Sequence, residues 1–122
     1  MISGRFGEIG ELIFEIELIA ADEERYPLEV LLDTGFLTGW LVLDVQDIHS
    51  LDWSKIESER AMQMVRGEEF FDIYEGRVVL NEQEYIIPVL SATGIIEPLL
   101  GLQWLKILPL TVNFAAGILT LG

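Results

Sequence analysis

The run Leu28-Glu29-Val30-Leu31-Leu32 ends at Asp33-Thr34-Gly35, and this junction constrains the chain more than any other stretch. A short apolar run of this kind reads as a buried strand. The three residues after it place a carboxylate at the mouth of a packed core. Desolvation disfavours an ionised group there unless donors surround it. The Thr34 hydroxyl and the Gly35 amide are such donors, and Gly35 lets backbone approach the carboxylate closely. Asp, Thr and Gly are also common turn residues, so the triplet alone leaves a turn and an active site both open.

The remainder reads mainly as β. Phe14, Ile16 and Leu18 alternate with Glu15 and Glu17, the signature of a half-buried strand. Ala21 to Pro27 reads as a charged turn leading back into the strand before Asp33, and glycines 4, 7 and 10 predict an irregular opening segment. Trp40-Leu41-Val42-Leu43 reads as a strand buried on both faces. A helical turn is expected between Asp44 and Trp53, with Asp47 as its cap. Ala61–Val65 and Phe70–Tyr74 flank the polar break Arg66-Gly67-Glu68-Glu69, which predicts a glycine-tipped hairpin. A second hairpin is expected around Asn81-Glu82-Gln83. Leu110, Val112 and Phe114 alternate, and Ala115-Ala116-Gly117 turns the chain into Ile118–Leu121.

With 122 residues, the chain is expected to form one domain spanning 1–122. Hydrophobic residues make up 51%, an excess that points either to an unusually thorough core or to apolar surface reserved for a partner subunit, and a homodimer would explain it. The net charge of −14 disfavours nucleic acid and anionic membranes as partners. There are no cysteines, so disulfides, thiolate metal sites and cysteine nucleophiles are excluded. The opening residues Met1–Glu8 lack the basic-then-apolar order of a signal peptide. The uncharged tail 107–122 is sixteen residues and holds Pro109, Asn113 and Gly117, short of a membrane span of about 20. A cytoplasmic protein is the expectation.

Sixty-six residues beyond Asp33 begins Leu99-Leu100-Gly101, after the strand-like Tyr85–Leu90 and before Leu102-Gln103-Trp104-Leu105. The order is apolar strand, Asp-Thr-Gly, glycine-tipped hairpin, apolar-apolar-Gly, short helix and final strands. From about Phe14 to Phe114 it resembles the retropepsin-like aspartic proteases, closest to their small, single-domain, homodimeric cellular members. The resemblance implies an all-β, closed barrel-like fold with a flap hairpin and one short helix near Leu102–Leu105. It also implies an aspartic endopeptidase acting on peptide or protein substrates without metal or other cofactor. Hydrolysis by carboxylates needs two of them sharing a proton, one activating water and the other polarising the scissile carbonyl. Two such acids about 3 Å apart do not both ionise readily, as in aspartic-protease dyads. This chain supplies one Asp-Thr-Gly, so the resemblance implies a homodimer with an Asp33 from each chain at the two-fold axis.

By the same resemblance Asp33 is catalytic, Thr34 reaches the partner's backbone, and the Gly35 amide donates to the carboxylate. Gly67 would tip the flap, with Met62, Met64, Phe70 and Phe71 as candidate walls of the substrate pocket, although ordinary core filling is the first expectation for each of the four. The family usually has Ala or Ser after Asp-Thr-Gly. Here Phe36 stands, a bulky ring that either narrows the pocket as a wall or packs beneath it.

Other chemistry fits the sequence less well. A Ser-His-Asp site would need His49, the lone histidine, with Ser50 and Asp47 or Asp52, which lie too close in sequence to converge readily. Glu23, Glu24, Asp44 and Asp47 lack calcium-loop spacing and read as a solvated face. The alternative in another class is a catalytically silent dimeric binding or scaffold module on the same fold.

Overall fold

The structure, a computed structural model, describes residues 1–64 and 67–122, with Met64 described by its backbone. Among the described residues the fold is mostly β. The strands are β1 (Ile2–Ser3), β2 (Arg5–Phe6), β3 (Leu12–Ile19), β4 (Arg25–Leu32), β5 (Leu41–Asp44), β6 (Lys55–Met64), β7 (Gly67–Leu80), β8 (Gln83–Ala92), β9 (Leu99–Leu100), β10 (Leu110–Asn113) and β11 (Ile118–Leu121). Helix α1 (Val45–His49) follows β5, and a 3-10 helix, Leu102–Lys106, follows β9.

The alternation in β3 does what the sequence predicts: Phe14, Ile16 and Leu18 are buried and Glu15 is exposed. The turn before β4 is shorter than expected, because Arg25, Tyr26 and Pro27 already pair with β3. Pro27 is tolerated there because β4 meets its other neighbour, β9, only at Leu31 and Leu32, so its missing amide breaks no ladder bond on that side. The β7–β8 connection is also tighter than expected. Asn81 and Glu82 alone form it, both with positive φ (54° and 64°), while Gln83 pairs with Leu80. Two left-handed residues are what a two-residue hairpin turn needs to match strand twist.

Eight strands form one sheet in the order β2-β3-β4-β9-β5-β8-β7-β6, and β3 pairs again with β7 at Glu17 and Leu18. The sheet thereby curls into a barrel-like body. The terminal strands form a separate sheet, β1-β11-β10. Within the barrel lies the main core, from Phe14, Val30 and Leu41 to Leu100 and Trp104. A second cluster, Phe36, Val42, Phe71, Ile73 and Leu90, joins β5, β7 and β8 to the segment after Asp33.

The helical turn after β5 exists, but its cap is Asp44 rather than Asp47. Asp44 Oδ2 accepts from Gln46 N at 3.0 Å, leaving Asp47 in the first turn. The capping position is one that precedes helical φ and ψ, and Asp44 has extended geometry. No helix among the described residues is long and apolar enough to cross a membrane.

Candidate active site

Asp33 stands one residue beyond β4. Its amide donates to Leu100 O at 2.9 Å, as Leu31 N does to Pro98 O at 2.9 Å, so the β4 end is tied to β9 on both sides of Leu32. Val30 and Leu32 are buried, and the intervening Leu31 and the following Asp33 take the other face. Asp33 Oδ1 accepts from Gly35 N at 2.8 Å, and Phe36 N donates to Asp33 O at 3.1 Å. The chain reverses tightly here, with the carboxylate half-buried and held by a backbone donor. That donor is the Gly35 amide, whereas Thr34 is exposed.

A second loop braces this turn. Gly101 N donates to Trp40 O at 3.0 Å, Leu102 N to Phe36 O at 2.9 Å, and Gln103 N to Gly39 O at 3.4 Å. Side chains add to it: Gln103 Nε2 donates to Leu37 O at 2.7 Å and Trp104 Nε1 to Trp40 O at 2.8 Å. A Cβ on Gly101 would run into the Gly39 carbonyl, and one on Gly39 would run into the Phe36 ring. Sequence reasoning singled out Gly101 but passed over Gly39 and Gln103. The available signal was the glycine six residues past Asp33, flanked by Thr38 and Trp40.

Phe36 takes the second of its two alternatives. It is 1% exposed and packs in the second cluster with Phe71 and Ile73, beneath the turn. Phe71 is likewise core. Met62 is half-buried against the same cluster, whereas Phe70, on the opposite face of β7, is 61% exposed. The Met64 side chain, together with Val65 and Arg66, lies outside the described residues. The hairpin strands run further than predicted: Gly67, with φ 114° and open space around it, already pairs with Met64, and Glu68 and Glu69 are in β7. The second cluster therefore links the Asp33 turn to the base of this hairpin.

Two carboxylates fix the surroundings. At the hairpin base Asp72 Oδ1 accepts from Glu59 N at 3.0 Å and Oδ2 pairs with Lys55 Nζ at 3.1 Å. The Glu59 amide first, then Lys55, hold its carboxyl below the ordinary range. Asp44 bonds the Gly94 and Ile95 amides (2.9 and 3.1 Å) as well as Gln46 N. Those amides, Gln46 foremost, lower its carboxyl. His49 and Ser50 are both exposed, and Ser50 Oγ donates to Asp47 O at 3.4 Å rather than to the imidazole. Among the described residues no group of three or more His, Asp or Glu is placed to hold a metal ion.

No protein-family model and no curated protein matches the sequence. Solved structures do match. A retropepsin-like aspartic protease from Rickettsia conorii superposes with a TM-score of 0.62 at 14% identity, over 98% of this chain and 88% of that one. EIAV protease complexed with the inhibitor HBY-793 gives a TM-score of 0.62 at 20% identity, over 83% and 90%. At such identities the likeness is one of fold, and the chain has a retropepsin-like single-domain fold.

Proposed function

We propose that this chain is an aspartic endopeptidase that works as a homodimer, with one Asp33 from each protomer forming a water-activating dyad. The observation that carries the reading is the Asp33 turn. It presents a half-buried carboxylate at the end of a strand, oriented by the Gly35 amide and braced by the Gly101 loop, on a retropepsin-like fold. In the dimer one carboxylate takes a proton from water as the other, protonated, donates to the scissile carbonyl. Thr34 is exposed beside Asp33, where it can reach a partner subunit.

Apolar surface supports the dimer. Leu37, Phe114 and Ile118 are 55%, 60% and 46% exposed, and β10 is an edge strand of the terminal sheet. Gly67 and the strands that flank it act as the flap, with Met62 and Phe70 offered to substrate. The buried position of Phe36 keeps its ring out of the cleft, which favours catalysis over a silent scaffold. The substrate is polypeptide, no cofactor is needed, and the acidic, cysteine-free composition suits a cytoplasmic protein with neither nucleic acid nor membrane as partner.

The test is cleavage of denatured protein and peptide substrates, with and without a statine-type inhibitor that mimics the tetrahedral intermediate. Inhibitable cleavage supports the reading. Absence of cleavage by a demonstrated dimer would replace it with the scaffold module.

A further inference from the structure

The face of β4 that carries Asp33 continues into a pocket with a charge character of its own. Residues two apart on a strand share a face, so Glu29, Leu31 and Asp33 project together, opposite buried Val30 and Leu32. On this face lies a cavity of about 250 Å³. Half-buried Ile13, Leu31 and Pro98 line it, as do exposed Arg5, Glu29 and Glu97. Ile13 lies opposite Leu31 on β3, and Pro98, just before β9, accepts from Leu31 N at 2.9 Å, so the neighbours of β4 on either side build its apolar part.

Its ionisable groups are unequal. Glu11 also lines the cavity, giving three carboxylates against one guanidinium. Arg5 is committed, donating from Nε and Nη2 to both oxygens of Glu29 at 3.0 to 3.2 Å. Glu11 Oε1 accepts from Ile9 N at 2.9 Å. Glu97 has no hydrogen-bond or ion-pair partner among the described residues. Of the other described cations, Arg25, Lys55, Arg60 and Arg77 are each paired with their own carboxylates.

We propose that this pocket is the subsite for a long cationic side chain, Lys or Arg, of a polypeptide substrate, and that Glu97 determines that specificity. The inference rests on the endopeptidase reading and names its substrate class. Lys and Arg carry an aliphatic stem under a charged head. The stem matches Ile13, Leu31 and Pro98, and the head reaches solvent where Glu97 stands. A carboxylate side chain would meet like charge, and a neutral aliphatic one would use the stem contacts alone. Because the rim is exposed, the cationic advantage over a neutral isostere is modest, roughly two- to fivefold, and shrinks with salt.

The experiment measures binding of the Asp33→Asn variant to fluorescent peptides in which one position, scanned along an otherwise neutral sequence, is Lys, norleucine or Glu. The order expected at low salt is Lys over norleucine over Glu, at one position of the scan. Glu97→Gln in the same background should collapse the gap between Lys and norleucine, whereas Glu75→Gln, on distant β7, should leave it. No Lys preference, a preference that survives Glu97→Gln, or no binding of any peptide overturns the inference. Cleavage by the unaltered protein is followed in parallel with the same peptides. Cleavage without Lys preference leaves the endopeptidase reading standing and removes the subsite; Lys-selective binding without cleavage does the reverse.

Discussion

Gly39 and Gly101 approach so closely that a Cβ on Gly101 would occupy the position of the Gly39 carbonyl. Here the loop after β9 crosses the turn after β4, and the hydrogen bonds from Gly101, Leu102 and Gln103 span the crossing. The rigidity of the Asp33 turn follows from it, since backbone rather than flexible side chain sits on both sides.

Gly101→Ala should therefore destabilise the fold by about 2–3 kcal/mol, as backbone has no cheap way to yield. Gly117→Ala, at an open position with φ 68°, is a useful comparison because its cost comes from the left-handed backbone alone. Urea melts of both variants check this; an unchanged midpoint for Gly101→Ala would show that the loops separate freely.

Asp33→Asn should abolish peptidase activity, by at least about 10²–10⁴-fold, with the melting transition preserved. The amide keeps the shape and can still accept from Gly35 N, but it cannot serve as a base. Thr34→Ala should instead weaken the dimer, seen as a sedimentation coefficient that falls at higher protein concentration than in the parent. Wild-type turnover by Asp33→Asn would assign the chemistry elsewhere.

Phe36→Ser should act on stability. The ring is 1% exposed and fills the second cluster beneath the turn, so its removal leaves a cavity and a buried hydroxyl. A loss of about 3–5 kcal/mol is expected. Calorimetry decides: a variant that melts like the parent would mean that the ring contributes nothing to the core.

Much of this was legible in the sequence because period-two alternation and punctuation by small residues are local signals. Phe14, Ile16 and Leu18 announce their buried face, and the Asp33 turn announces itself by an acid and a glycine after an apolar run. What was not legible depends on partners distant in the chain. Pro27 looks like a turn residue until β9 proves too short to need its amide. Asp44 gave no sign of capping α1 while also holding Gly94 and Ile95, because two of those three bonds cross about fifty residues. Gln103 reads as an exposed helix residue, yet its amide supports Leu37 O. Phe36 could be placed beneath the site only once Phe71 and Ile73 were known to meet it.

Association should strengthen with added salt. Each protomer carries a net charge of −14, so two copies repel, and screening lowers that repulsion while leaving apolar contacts intact. Sedimentation equilibrium at low and high salt checks this, and a dimer that dissociates as salt rises would mean that ion pairs dominate the interface.

Acid should weaken the fold through Asp44 and Asp72. Both carboxyls are held below the ordinary aspartate value of 3.8, by the Gln46, Gly94 and Ile95 amides in one case and by Glu59 N and Lys55 in the other. Below 3.8 the unfolded chain binds protons that the folded chain still excludes, so stability falls as pH drops. The contribution is fully present above that value and gone once pH has passed below the depressed folded values. Relief of the general negative repulsion acts in the opposite direction, since protonating the other exposed acids lowers the net charge. A comparison with the parent separates the two. Urea midpoints, followed by tryptophan fluorescence, should fall more steeply between neutral pH and about pH 3 in the parent than in Asp44→Asn/Asp72→Asn. The double variant should be the less stable protein at neutral pH and should converge on the parent in acid. Parallel curves across the whole range would show that neither carboxylate is more stabilised in the folded chain than in the unfolded one.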